Sequence, residues 1–158
     1  MARNELQKTD WRGRIFRYAP LILWACLVLF LSTGNASMSN TSRFIRPLLE
    51  FLFPNSPAET IDFYHAYIRK IAHVTEYAML AFWAARAFSV SGRELLRRFW
   101  YLFALLLVAF VASTDEFNQS FDASRTSSIY DVLLDISGGT LMILCFYAAR
   151  NLRRQRKF

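Results

Sequence analysis

Residues 99–119 read FWYLFALLLVAFVASTDEFNQ, an uncharged run from Phe99 to Thr114 that ends in Asp115 and Glu116. A helix needs ~20 residues to cross the hydrocarbon of a bilayer, so this stretch can span only by carrying carboxylates into the membrane. Three further runs, Tyr18 to Leu31, Tyr77 to Ala85 and Ile136 to Ala149, are short in the same way. Either all four are spans with charged ends, or they are the core helices of a soluble bundle.

Charge placement decides between these. Of 19 Lys and Arg, five fall in residues 1–17, four in 86–98 and five in 150–158, segments whose only acids are Glu5, Asp10 and Glu94. The alternate segments, with the polar ends of the adjoining spans, hold five basic and nine acidic residues. This alternation follows the positive-inside rule, and a soluble bundle has no reason to segregate charge by loop. The expected fold is all-α: a four-helix transmembrane bundle with spans at about 15–33, 68–90, 98–117 and 129–149. Both termini and the 86–98 loop lie in the cytoplasm, with loops 32–67 and 114–128 outside. The chain reads as one domain over residues 1–158, a multi-pass protein of the cell (plasma) membrane.

Composition agrees, with 54% hydrophobic, 16% aromatic and only 20% charged residues, against ~25% charged in soluble domains. That excludes disorder. The net charge of +7 raises nucleic acid as a partner, but the basic tail after Arg150 directly follows an apolar helix and reads as an anchor on anionic lipid. No nucleic-acid role is expected, and membrane lipids are the expected partners. Trp11 and Trp100 fall near the cytoplasmic ends, where amphipathic rings anchor. Cys26 and Cys145 sit inside apolar runs and behave as small hydrophobes. The first span has the basic flank of a secretory signal and is read as uncleaved.

The long external connection holds Phe44, Ile45, Leu48, Leu49, Phe51, Leu52 and Phe53, broken by Pro47 and ended by Pro54. Too short to span, it is expected to lie in the outer interface as a helical cap over the bundle. Pro57 and Thr60 mark a turn and an N-cap, with the second span's helix starting near Ile61.

Depth then brings the polar residues together. At 1.5 Å per residue, Asp115 and Glu116 lie ~25 to 27 Å beyond Arg98, and Asp135 and Asp131 lie ~22 and ~28 Å from Arg150. Glu76 and His73 lie ~25 and ~30 Å from Arg93. All six fall in one outer layer. Helical spacing places Lys70, His73 and Tyr77 on one face, pairs Asp131 with Asp135, and pairs Asp115 with Gln119. Ionisable groups in lipid are costly and turn inward, so three helices carrying them at one depth imply a shared pocket. Gly138 and Gly139, one turn below Asp135, leave space for a neighbouring helix or a lipid tail.

The ordered set Arg69-Lys70-Ile71-Ala72-His73-Val74-Thr75-Glu76-Tyr77, Thr114-Asp115-Glu116-Phe117-Asn118-Gln119, Arg125, Asp131 and Asp135-Ile136-Ser137-Gly138-Gly139 resembles the VanZ-like membrane protein family over about residues 15–150. Members often carry Pro-Gly before the arginine, where this chain has Ala123-Ser124, and Asn at the place of Asp135. The resemblance implies a cell-envelope membrane protein and a contribution to resistance against the glycopeptide teicoplanin.

Three chemistries suit the layer. In a membrane-embedded hydrolase or transferase acting on lipid head groups, His73, Glu76, Glu116 and Asp131 would be catalytic, with His73 as general acid or base. Lys70, Tyr77, Asp115, Gln119, Arg125 and Asp135 would hold the substrate, Arg125 and Lys70 taking a phosphate, pyrophosphate or carboxylate. A metal variant assigns His73, Glu76, Glu116, Asp131 and Asp135 as an N/O set for Zn2+, Mn2+ or Mg2+. In the second chemistry the layer recognises a lipid-linked envelope precursor or lipoglycopeptide without altering it. In the third, internal salt bridges clamp the helices together. Ser113 and Ser128 flank the layer without the signature of a serine nucleophile.

Overall fold

The computed structural model describes residues 11–32, 38–120 and 128–156. Among the described residues there are six helices and no strand. They are α1 (Trp11–Ser32), α2 (Met38–Leu52), α3 (Ala58–Ser89), α4 (Glu94–Arg98), α5 (Trp100–Gln119) and α6 (Ile129–Gln155). Helices α1, α5 and α6 are long and apolar enough to cross a membrane. Their outer surfaces expose Phe16, Leu23 and Phe30 on α1, Leu106 and Phe110 on α5, and Leu141 and Leu144 on α6. Apolar exposure spread over whole helices, with no polar face to offset it, belongs in lipid.

Helix α3 is central and packs against α1, α2, α5 and α6. Its inner stripe is Tyr77, Leu80, Ala81, Ala84, Ala85 and Ala87, which meets Ala104, Val108, Val111 and Ala112 of α5 and Ile143 of α6. Alanine at so many facing positions brings backbones close, the means by which helices associate where lipid supplies no hydrophobic drive. The paired glycines of α6 carry this furthest. A Cβ on Gly138 would sit 2.8 Å from the Val74 carbonyl oxygen of α3, and one on Gly139 would sit 2.7 Å from Val108 Cγ1 of α5. What fills the space beside the glycines is therefore protein, not a lipid tail.

Helix boundaries depart from expectation in four places. Helix α3 begins at Ala58 instead of Ile61, with Pro57 at the N-cap and no side-chain cap, so Thr60 does not serve there. At 32 residues it is ~48 Å long, well beyond the ~30 Å of hydrocarbon. Helix α2 runs through Pro47 without a break. Helix α6 continues past Ala149 to Gln155, because nothing in its basic tail opposes helix formation. The 86–98 loop contains the short helix α4.

Helix α2 packs on α3. Ile45, Leu48, Leu49 and Leu52 recur at i, i+3, i+4 and i+7, an amphipathic pattern. Leu49 is buried, whereas Leu48, Phe51 and Leu52 are exposed. Arg46 ties the two helices, 2.9 Å from Glu50 and 3.1 Å from Asp62. The Glu50 hydrogen bond and the Asp62 charge raise the Arg46 pKa above its ordinary value.

Candidate functional site

Helix α5 buries Trp100, Ala104, Val108, Val111, Ala112, Asp115 and Gln119. Continuing the stripe by i+3 and i+4 steps puts Asp115 and Gln119 on the inner face, while Glu116 is turned ~100° away. The Tyr77 hydroxyl of α3 donates to Asp115 Oδ2 at 2.9 Å, and the Gln119 amide donates to Asp115 Oδ1 at 2.7 Å. Both carboxylate oxygens are therefore held and the side chain has one orientation. Asp115 is the hub of the cluster.

His73 and Glu76 approach this hub from α3. His73 Nδ1 lies 3.9 Å from Asp115 Oδ2 and 4.0 Å from Glu76 Oε2. Asp135 comes from α6, is only 4% exposed, and has an Oδ1 without a hydrogen-bond partner among the described residues. One ligating atom from each of His73, Asp115 and Asp135 falls within a 4.8 Å span. The glycines one turn below Asp135 make this convergence geometrically possible. Helix α1 adds a brace, since Trp24 Nε1 donates to the Glu76 carbonyl oxygen at 3.0 Å.

Around this centre the other expected residues take different places. Lys70 Nζ is 3.8 Å from Asp131 Oδ1, a pair more exposed than the cluster that joins α3 to α6 at its rim. The Glu116 carboxylate accepts a hydrogen bond from the Ser128 backbone N–H and so ties the end of α5 to the start of α6. Arg125 lies outside the described residues. The ligand-capable group gathered by the fold is thus His73, Asp115 and Asp135. Of the metal set expected from sequence, Glu76 stays near His73, while Asp131 and Glu116 are engaged elsewhere.

Sequence reasoning placed Asp115 among the substrate-binding residues and missed its position at the centre. The stripe of small residues from Ala104 to Ala112 was the signal, because it marks the inward face on which Asp115 falls. Trp24 was also missed, as nothing local marks an indole that caps a carbonyl on another helix. His65 is buried with Nε2 unpartnered among the described residues, but lies eight residues before His73, ~12 Å along α3 and outside the cluster.

What these observations define is a helical membrane protein with a polar cluster buried among three helices. Residues 18–150 match the model of the VanZ/LLP1 family, and the chain belongs to that family. No curated protein and no solved structure matches it.

Proposed function

We propose that this is a cell-envelope protein that crosses the plasma membrane four times and recognises, at the outer face, the polar head group of a lipid-linked envelope molecule or lipoglycopeptide. In this reading α3 is the additional span, both termini are cytoplasmic, and α2 lies in the outer interface. The segregation of 14 of 19 basic residues into three segments supports the topology.

The observation that carries the function is the incomplete satisfaction of the buried cluster. An internal clamp is stable when every member has its partner, and an unpaired buried polar group costs ~1–3 kcal/mol. Here Asp115 is doubly bonded while the neighbouring Asp135 Oδ1 has no hydrogen-bond partner among the described residues. An open acceptor beneath an exposed Lys70–Asp131 pair is the arrangement of a ligand site, with the lysine placed to meet an anionic group and the interior placed to meet a donor or cation. His73, between Glu76 and Asp115, supplies a group able to exchange a proton if the ligand is also transformed.

The test uses full-length protein in nanodiscs together with cells expressing equal membrane amounts of each variant. Lys70→Ala and Asp135→Asn should reduce the co-purifying envelope lipids and change teicoplanin susceptibility, whereas Arg150→Ala at the opposite end should not. Unchanged lipid profile and susceptibility in Lys70→Ala and Asp135→Asn would overturn the proposal. Head-group-labelled lipids then separate enzyme from binder, by a new product or by retention alone.

A further inference from the structure

We propose that the outer cluster binds one divalent transition-metal cation, held by His73 Nδ1, an Asp115 carboxylate oxygen and Asp135 Oδ1. This deepens the reading of the cluster as a ligand site and rests on it. The three donors arise from three helices and fall within a 4.8 Å span. Metal–ligand bonds of ~2.0–2.2 Å place adjacent donors ~3–3.5 Å apart, so closure from the 4.8 Å span asks for about 1.3–1.8 Å of side-chain adjustment.

Charge balance argues for a cation at this point. Glu76, Asp115 and Asp135 put three carboxylates around one imidazole, in surroundings where isolated charge is costly. Lys70 is drawn to Asp131 at the rim. Asp135 remains, more than nine-tenths buried, with its Oδ1 unpartnered among the described residues and one carboxylate oxygen within the 4.8 Å group. A bound M2+ would satisfy that oxygen and neutralise two carboxylates together.

The donor set also selects the ion. One imidazole nitrogen with carboxylate oxygens suits Zn2+ or Mn2+, whereas Mg2+ and Ca2+ favour oxygen alone. Tyr77 and Gln119 act as the outer support, fixing the Asp115 carboxylate from both sides as hydrogen-bonded ligands require. Glu76, 4.0 Å from His73 Nδ1, is positioned to complete the coordination or to take a proton from bound water. A metal with an open position would then receive the phosphate or carboxylate of the head group.

The experiment takes full-length protein carrying a non-histidine tag, in nanodiscs, stripped with EDTA and titrated separately with Zn2+, Mn2+ and Mg2+. Metal content after desalting, measured by plasma mass spectrometry, should approach one Zn2+ or Mn2+ per chain and stay near zero for Mg2+. His73→Gln and Asp135→Asn should lower the affinity at least tenfold, while Arg150→Ala leaves it unchanged. Thermal unfolding of each variant reports folding, and the Co2+ absorption spectrum of wild-type protein reports nitrogen and oxygen ligation without any variant. Wild-type protein that retains no metal, or variants that bind as tightly as wild type, would overturn the inference. Lipid retention, measured with and without added metal, separates the two proposals: retained lipid with no metal binding sinks this one alone, and metal binding with no lipid retained by the loaded protein sinks the other.

Discussion

The two ends of the helical bundle handle charge in opposite ways. At the end formed by Ser89, Trp100 and Arg150, the cations spread outward. Arg86 donates to the Phe16 carbonyl oxygen at 3.4 Å and lies 5.6 Å from the Trp83 ring centroid, while Arg150 donates to the Ser89 carbonyl oxygen at 3.4 Å and lies 5.9 Å from the Trp100 ring centroid. Together with Arg153 they edge a cleft walled by Phe82, Met142 and Phe146. At the other end the carboxylates turn inward and gather around Asp115. The difference follows from side-chain length. Arginine can lay its methylenes along apolar surface and carry its charge to the interface. Aspartate cannot, so its charge at the same depth must find partners inside the protein.

Substitutions test that contrast, and the largest effect should come from the packing that lets the carboxylates converge. Gly138→Val drives a Cβ against the Val74 carbonyl, and should lower stability by about 3 kcal/mol, read as a fall in Tm in detergent. If Tm holds, the close approach of α3 and α6 is not what assembles the cluster. Next comes Asp115→Ala, which strips the acceptor from both Tyr77 and Gln119. A loss of about 2 kcal/mol is expected, with reduced ligand retention in the same preparation.

Trp24→Phe keeps the ring bulk but removes the bond to the Glu76 carbonyl, and about 1 kcal/mol should disappear from the unfolding free energy. At the opposite end Arg150→Ala should cost about 0.5–1 kcal/mol through its contact with Trp100 and leave ligand retention intact. A larger change in retention there would join the two ends functionally. Smallest in stability is Lys70→Ala, about 0.5 kcal/mol or less because the pair with Asp131 is largely exposed. Its signature is a drop in affinity for anionic head groups with Tm nearly constant.

Much of this is legible in the sequence. The inward face of α5 follows from the spacing of Ala104, Val108 and Ala112, and the meeting of His73 with Glu76 follows from i, i+3 on one helix. The rest depended on rotation between helices. Asp131 and Asp135 share a face at i, i+4, yet one pairs with Lys70 at the rim and the other is buried beside Asp115 and His73. One turn of rise, ~6 Å, separates a half-exposed site from the interior, and no local pattern reports where that boundary falls.

Local chemistry was enough to establish helices, membrane and family: apolar runs, the sorting of Lys and Arg, and an ordered set of polar residues each act through neighbours in the chain or through the bilayer. Which carboxylate became the hub, and which was left with an open oxygen, was settled by the contact of α3, α5 and α6 across Gly138 and Gly139. Interhelical distance is a property of side chains far apart in sequence, and it emerges only when the helices have packed.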